Sequence, residues 1–281
     1  MLKLGRVLDI PVEVHASWLI IFGLLSYGIG SDYIRQIHPE TKLSVALGYG
    51  AAAAICLFIC LLIHEFAHCV VARAYGIETL SITLFLFGGV AQFNREPDKW
   101  THELRIALAG PAVNCICAAV FVIGWFLASQ GTILETLAFY LAVSNLLLAA
   151  VNLLPGYPLD GGRAMRAILW GLLDSRLSAT RVATTAGSVL GWIAGAMGII
   201  AIVAYGDLSG AWWCLLGWFV ASSASCSWEQ EQFRDSLEKC LKCSIESTPQ
   251  NVYSGIVDKR HIGRVKAYLV TQKNEYTNHK R

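Results

Sequence analysis

The chain has 281 residues, 55% of them hydrophobic and only 15% charged, with a mean hydropathy of +0.52. Soluble domains carry about 25% charged residues, so this composition excludes an ordinary soluble globular enzyme and an intrinsically disordered chain. A net charge of +2 offers no field to steer DNA or RNA, and no nucleic-acid partner is expected.

Residues 1–15 are polar, and no small-residue cleavage site follows the first apolar run, so no cleavable signal peptide is expected. Six segments then approach or exceed the length needed to cross a bilayer: about 16–31, 44–73, 104–128, 134–154, 183–205 and 211–227. The first and last are the shortest. Between the second and third, Ile82, Leu84 and Leu86 alternate with Thr83, Phe85 and Phe87, and Gly88-Gly89 follows. Alternation closed by Gly-Gly predicts a hairpin within residues 77–93. Strand edges exposed to lipid are forbidden, so the edge of such a hairpin must face protein or an aqueous cavity. It is either a plain packing loop or an edge that pairs with an extended peptide. The expected fold class is therefore an all-α polytopic membrane protein of about six transmembrane helices, with a small membrane-associated β-hairpin between spans two and three. After Trp228 the composition turns polar. This predicts a transmembrane domain over 1–228 and a tail over 229–281, with a short helix at about 229–242 and no type assigned beyond it.

The cations sort by side. Lys3 and Arg6 precede span one, and Arg35 and Lys42 follow it. Arg73, Arg95, Lys99 and Arg105 lie between spans two and three, and Arg163, Arg166, Arg176 and Arg181 between four and five. None lies between spans three and four or between five and six. The positive-inside rule then puts both termini in the cytoplasm, most simply across the plasma membrane. Seven of the cysteines, Cys56 and Cys60 among them, sit in or beside apolar runs and read as small hydrophobes. Cys240 and Cys243 form a single C-x-x-C, a weak zinc signal without a second pair.

The chemistry concentrates at His64-Glu65-Phe66-Ala67-His68, an H-E-x-x-H. Ionisable groups inside an apolar helix are expensive and usually functional. Positions i and i+4 share one helix face, so both imidazoles reach one ion. Glu65, one residue round, is placed to take a proton from water at that ion. The plainer alternative is a pair of buried, hydrogen-bonded histidines with Glu65 as a structural partner. A catalytic zinc wants three protein ligands and an open position. Cys60 lies on the same face but about 12 Å of helix rise from His68, too far to share the ion, and Cys56 lies farther. Glu135 and Asp207 fall on the opposite side by the distribution of cations. Asp160 remains, after Pro155 and Pro158 and before Gly161-Gly162, at the cytoplasmic end of span four. It reads as the third ligand or as a cap on the next helix. In Ala109-Gly110-Pro111-Ala112-Val113-Asn114, the glycine permits close helix approach and the buried Asn114 either donates to an oxyanion or bonds a neighbouring helix. Asn152 either orients a peptide or holds the broken segment that follows it.

Together these residues resemble the site-2 protease family of intramembrane zinc metalloproteases, peptidase family M50. The His64–His68 motif, Phe87-Gly88-Gly89, Ala109-Gly110-Pro111 with Asn114, and Asn152-Leu153-Leu154-Pro155 with Leu159-Asp160-Gly161 come in family order within residues 1–228. The tail shows no paired nucleotide-sensing module of the kind many such proteins carry. The resemblance implies one Zn²⁺ per chain held by His64, His68 and Asp160, with Glu65 as general base. It also implies cleavage of a single-span membrane protein near the cytoplasmic face, with the lipid bilayer as the setting. A helical substrate hides its carbonyls in hydrogen bonds, so it must unwind locally. The hairpin edge around Phe87, Gly88, Gly89 and Val90, with Asn152, is where the extended strand would lie, and a polar path for water is expected past 155–162. The competing functions are a membrane metal transporter or sensor and an inactive scaffold. A transporter would show repeated halves, which are not evident, and the intact ligands and base argue against a scaffold.

Overall fold

The computed structural model describes residues 2–86 and 88–246. These fall into two units that meet after Glu231, the second contributing only the last part of a helix among the described residues. The expected hairpin is present, as β3 (Thr79–Phe85) and β4 (Gly88–Phe93). It is not alone, however. The polar N-terminal stretch folds as a second hairpin, β1 (Leu2–Val7) and β2 (Ile10–Val14), and the four strands form one sheet in the order β1-β2-β3-β4. Leu8 and Asp9 both adopt positive φ, 52° and 66°, the backbone of a two-residue primed turn. Ile10, Val12 and Val14 alternate inward and pack on Ile82, Leu84 and Cys69. That inward face fixes the parallel register Val12↔Ile82 and Val14↔Leu84. β3 is thus paired on both sides, and β4 keeps an outer edge free of any described strand.

Among the described residues, four helices are long and apolar enough to cross a membrane: α3 (Leu43–Ala74), α4 (Trp100–Leu127), α5 (Ile133–Asn152) and α7 (Arg176–Tyr205). The first expected span differs. It is α-helical only over α1 (Trp18–Tyr27), continues as a π-helical segment Gly28–Ile34, and ends in the short α2 (Arg35–Ile37). Its packing on α3 depends on glycine, because a Cβ on Gly30 would lie 2.9 Å from the Leu47 Cα. The last expected span lies within α8 (Gly210–Glu246), which runs through Trp228 without a break. The predicted separate helix at 229–242 is therefore the continuation of α8. Cys240 is exposed there; the Cys243 side chain and residues 247–281 lie outside the described residues.

Between α5 and α7 the chain makes the turn 153–159 and the amphipathic α6 (Asp160–Leu173). Backbone contacts pin the turn. The Tyr157 N–H donates to the Ala183 carbonyl at 3.1 Å. Gly156 and Gly187 meet so closely that a Cβ on Gly156 would lie 2.7 Å from the Gly187 Cα. The turn thereby sets α6 against α4 and α7.

Candidate metal centre

His64 and His68 stand one turn apart on α3, both 3% exposed, with their Nε2 atoms 3.1 Å apart. Asp160, the first residue of α6, brings Oδ2 to 3.1 Å from His64 Nε2 and 3.3 Å from His68 Nε2. Its carboxylate, in the first turn of α6, faces the imidazoles. Burial alone would raise the Asp160 carboxyl, but the two imidazoles outweigh it and hold the group well below the usual carboxylate range.

The chemistry of this donor set fits a metal. His68 Nδ1 lies 2.6 Å from the Ile106 carbonyl, which can only accept, so Nδ1 carries the proton and Nε2 presents a lone pair. Asp160 Oδ2 is buried with no hydrogen-bond partner. Lone pairs converging in a buried place repel unless a cation lies between them. Tetrahedral zinc with ligands at 2.0–2.2 Å holds them about 3.3–3.6 Å from one another, slightly wider than the 3.1–3.3 Å found. These three are also the only group of metal-ligating side chains converging in this way among the described residues.

Neighbouring residues keep the place open and oriented. Gly110 of α4 lies over the pair; a Cβ there would sit 2.5 Å from His64 Nε2. The Asn114 carboxamide, fully buried, lies 3.0 Å from His64 Nδ1 and leaves its Oδ1 without a partner. Turning the amide so that Oδ1 accepts from Nδ1–H satisfies both groups and gives His64 the same tautomer as His68. Asn114 therefore sits behind the ring, on the side away from the ligand triangle. Of the two roles the sequence leaves open for Asn114, the contact seen here is the one between helices, to the His64 imidazole.

A cavity of about 690 Å³ opens in front of the triangle. Glu65, 8% exposed, lines it, and no described residue hydrogen-bonds its carboxylate. Gly88, Gly89 and Val90 of β4 line it too, as does Asn152 at the end of α5. Gly89 lies against the general-base candidate: a Cβ there would meet Glu65 Cγ at 2.6 Å. Phe87 lies outside the described residues. Cys60 is buried in the core and takes no place in the triangle.

Two features escaped the sequence. Arg163, one turn after Asp160, also lines the cavity; a cation three residues from a ligand on one helix was the available signal. Arg166 Nε bonds Glu103 Oε1 at 2.6 Å with both side chains buried, and Glu96 links Arg166 to Arg176. In the sequence alone Arg166 marks only the cytoplasmic side.

Residues 52–138 and 127–194 match the model of peptidase family M50. The chain belongs to that family. The protein sll0528 of Synechocystis, provisionally named a zinc metalloprotease, is 32% identical over 84% of this chain and 62% of its own length. Rip3 of Mycobacterium tuberculosis, likewise provisionally named, is 38% identical over 79% of this chain and 57% of its own. The chain thus spans about three-fifths of the curated relatives it matches. The site-2 protease of Methanocaldococcus jannaschii has a structure similar to this one, with a TM-score of 0.59 and 28% identity over 81% of this chain and 94% of that one. Family M50 membership and the four apolar helices mark an integral membrane protein.

Proposed function

We propose that this M50 chain is an intramembrane zinc metalloendopeptidase whose ion is held by His64, His68 and Asp160. The observation that carries the reading is the meeting of three donor atoms at 3.1–3.3 Å beside a cavity that also holds an unbonded glutamate. Zinc, when bound, supplies Lewis-acid polarisation of the scissile carbonyl and lowers the pKa of water. Glu65 takes the proton of the attacking water and returns it to the leaving nitrogen. Ile106 and Asn114 hold the two imidazoles in one tautomer throughout. The outer edge of β4 adds an extended substrate strand through main-chain hydrogen bonds, and Gly89 lets that strand lie close to Glu65. Asn152 faces the same strand from the end of α5.

The substrate is a single-span membrane protein, cut near the cytoplasmic side. The chain crosses the plasma membrane six times, with α1 and its π-helical extension first and the apolar part of α8 last, and both termini are cytoplasmic. The test compares wild type with Glu65→Gln for metal content and for cleavage of a candidate single-span protein. Retained metal with cleavage reduced about 10²–10⁴-fold is expected. Metal with no cleavage by either protein, or equal cleavage by both, refutes the assignment of Glu65.

A further inference from the structure

A second cleft lies apart from the metal centre, between α7 and α8. The two helices run antiparallel. They touch backbone to backbone where a Cβ on Gly191 would lie 2.6 Å from the Gly217 carbonyl. Towards the polar end they are tied again by the Arg176–Glu231 ion pair at 3.1 Å. Between these two constraints the helices part, leaving a cavity of about 260 Å³. That is just below the roughly 300–1,000 Å³ of pockets for drug-sized ligands, a size for a small polar group.

Its lining has an order. Arg181 and Glu229 both reach it, and neither pairs with another described residue or with each other. Three hydroxyls are already committed as donors to their own helices: Thr184 to the Thr180 carbonyl at 2.9 Å, Thr185 to Arg181 at 2.7 Å and Ser225 to Ala221 at 3.0 Å. Their oxygens can therefore only accept. Ser188, also in the lining, makes no such bond and keeps its donor. The cleft thus offers an anion site at Arg181 and Ser188, and an N–H-accepting site at Glu229 and the committed hydroxyls. Arg181, Ser188 and Trp192 follow one another at spacings of seven and four along one face of α7, and Trp192 is 71% exposed on its apolar stretch. Trp228 closes the polar end, where aromatic residues favour the membrane interface.

We propose that this cleft binds the headgroup of a phospholipid carrying a primary amine. The phosphate sits on Arg181 and Ser188, the ammonium on Glu229 with Thr185 and Ser225, and an acyl chain runs along Trp192. A quaternary amine has no N–H to give these acceptors, and a glycerol headgroup has no charge for Glu229. The site does not depend on the proteolytic reading.

The test exposes the full-length protein to equimolar phosphatidylethanolamine, phosphatidylcholine and phosphatidylglycerol, then counts lipids retained on release into the gas phase by native mass spectrometry. Wild type is expected to retain phosphatidylethanolamine about tenfold over either other lipid, the worth of a charge-assisted bond. Glu229→Gln should erase the preference over phosphatidylcholine, and Arg181→Gln should lower retention of all three. Thr185→Val, a surface change that leaves the fold intact, should weaken the preference by itself. Equal retention of the three lipids by wild type, or phosphatidylglycerol retained first, overturns the proposal. So does equal competition by soluble phosphoethanolamine, which would show that the acyl chains contribute nothing.

Discussion

Asn114→Ala separates two uses of one buried amide. In the structure the carboxamide lies 3.0 Å from His64 Nδ1, with no exposure to solvent. Truncation leaves a buried Nδ1–H with nothing to accept it, which costs about 1–3 kcal/mol. The imidazole escapes that cost by turning or by changing tautomer, and either move withdraws Nε2 from the ligand triangle. Partners of this kind contribute about 10–100-fold to metal affinity, or about 1.4–2.7 kcal/mol at 1.36 kcal/mol per decade, which matches the desolvation figure. Full-length protein in detergent should therefore surrender zinc to a competing chelator at a concentration 10–100-fold lower than wild type does. Asn114→Asp, which still accepts from Nδ1–H, should keep the metal. An oxyanion donor would behave otherwise: its loss lowers kcat about 10²–10³-fold and leaves metal affinity untouched. Wild-type zinc retention by Asn114→Ala would refute the positioning role.

Three further outcomes are expected. Asp160→Asn preserves the shape of the proposed third ligand but removes its charge, so metal content should fall to background. Zinc at 100 times its Kd should stabilise wild type by about 2.7 kcal/mol and should leave the unfolding midpoint of the variant unmoved. Arg166→Met strands Glu103, which is fully buried, and should destabilise the protein by about 3–5 kcal/mol; Arg166→Met with Glu103→Leu should recover most of that loss in a double-mutant cycle. Gly89→Ala places a methyl 2.6 Å from Glu65 Cγ, so cleavage should drop while metal content stays at the wild-type value, because Gly89 does not touch the imidazoles.

What could be read from the sequence follows the range of the interaction. The pair His64 and His68 was legible because an i, i+4 spacing fixes geometry within one turn. Asp160 was legible by depth, although the means of its delivery, Gly156 against Gly187 and the Tyr157–Ala183 bond, joins residues no spacing rule connects. The hairpin β1–β2 was lost in an average. The charges of Lys3, Arg6, Asp9 and Glu13 make residues 1–15 look polar, yet eight of the fifteen are hydrophobic, Ile10, Val12 and Val14 alternate, and their partner β3 lies beyond α1 and α3. At Trp228 composition changes but conformation does not, because α8 runs on to Glu246. A change from apolar to polar residues moves a helix from lipid to water without ending it, and the first proline after that point is Pro249.

Helix α4 supplies none of the three proposed ligands, yet it meets both imidazoles. From α4, the Ile106 carbonyl sets the His68 tautomer, Asn114 meets His64, and Gly110 leaves the space into which both rings project. Glu103, three residues before Ile106 and so one turn away on the same side of α4, holds Arg166, which lies on the helix that begins with Asp160. That buried pair fixes the height and rotation of α6 against α4, and hence of the carboxylate against the imidazoles. An ion pair of two fully desolvated groups adds little net stability, so its value here lies in register. The double variant Arg166→Met, Glu103→Leu makes this separable: it should fold with nearly wild-type stability and still bind zinc more weakly, because packed apolar side chains hold α6 without specifying where Asp160 must stand. Full zinc affinity in that variant would show that the 153–159 turn alone sets the ligand.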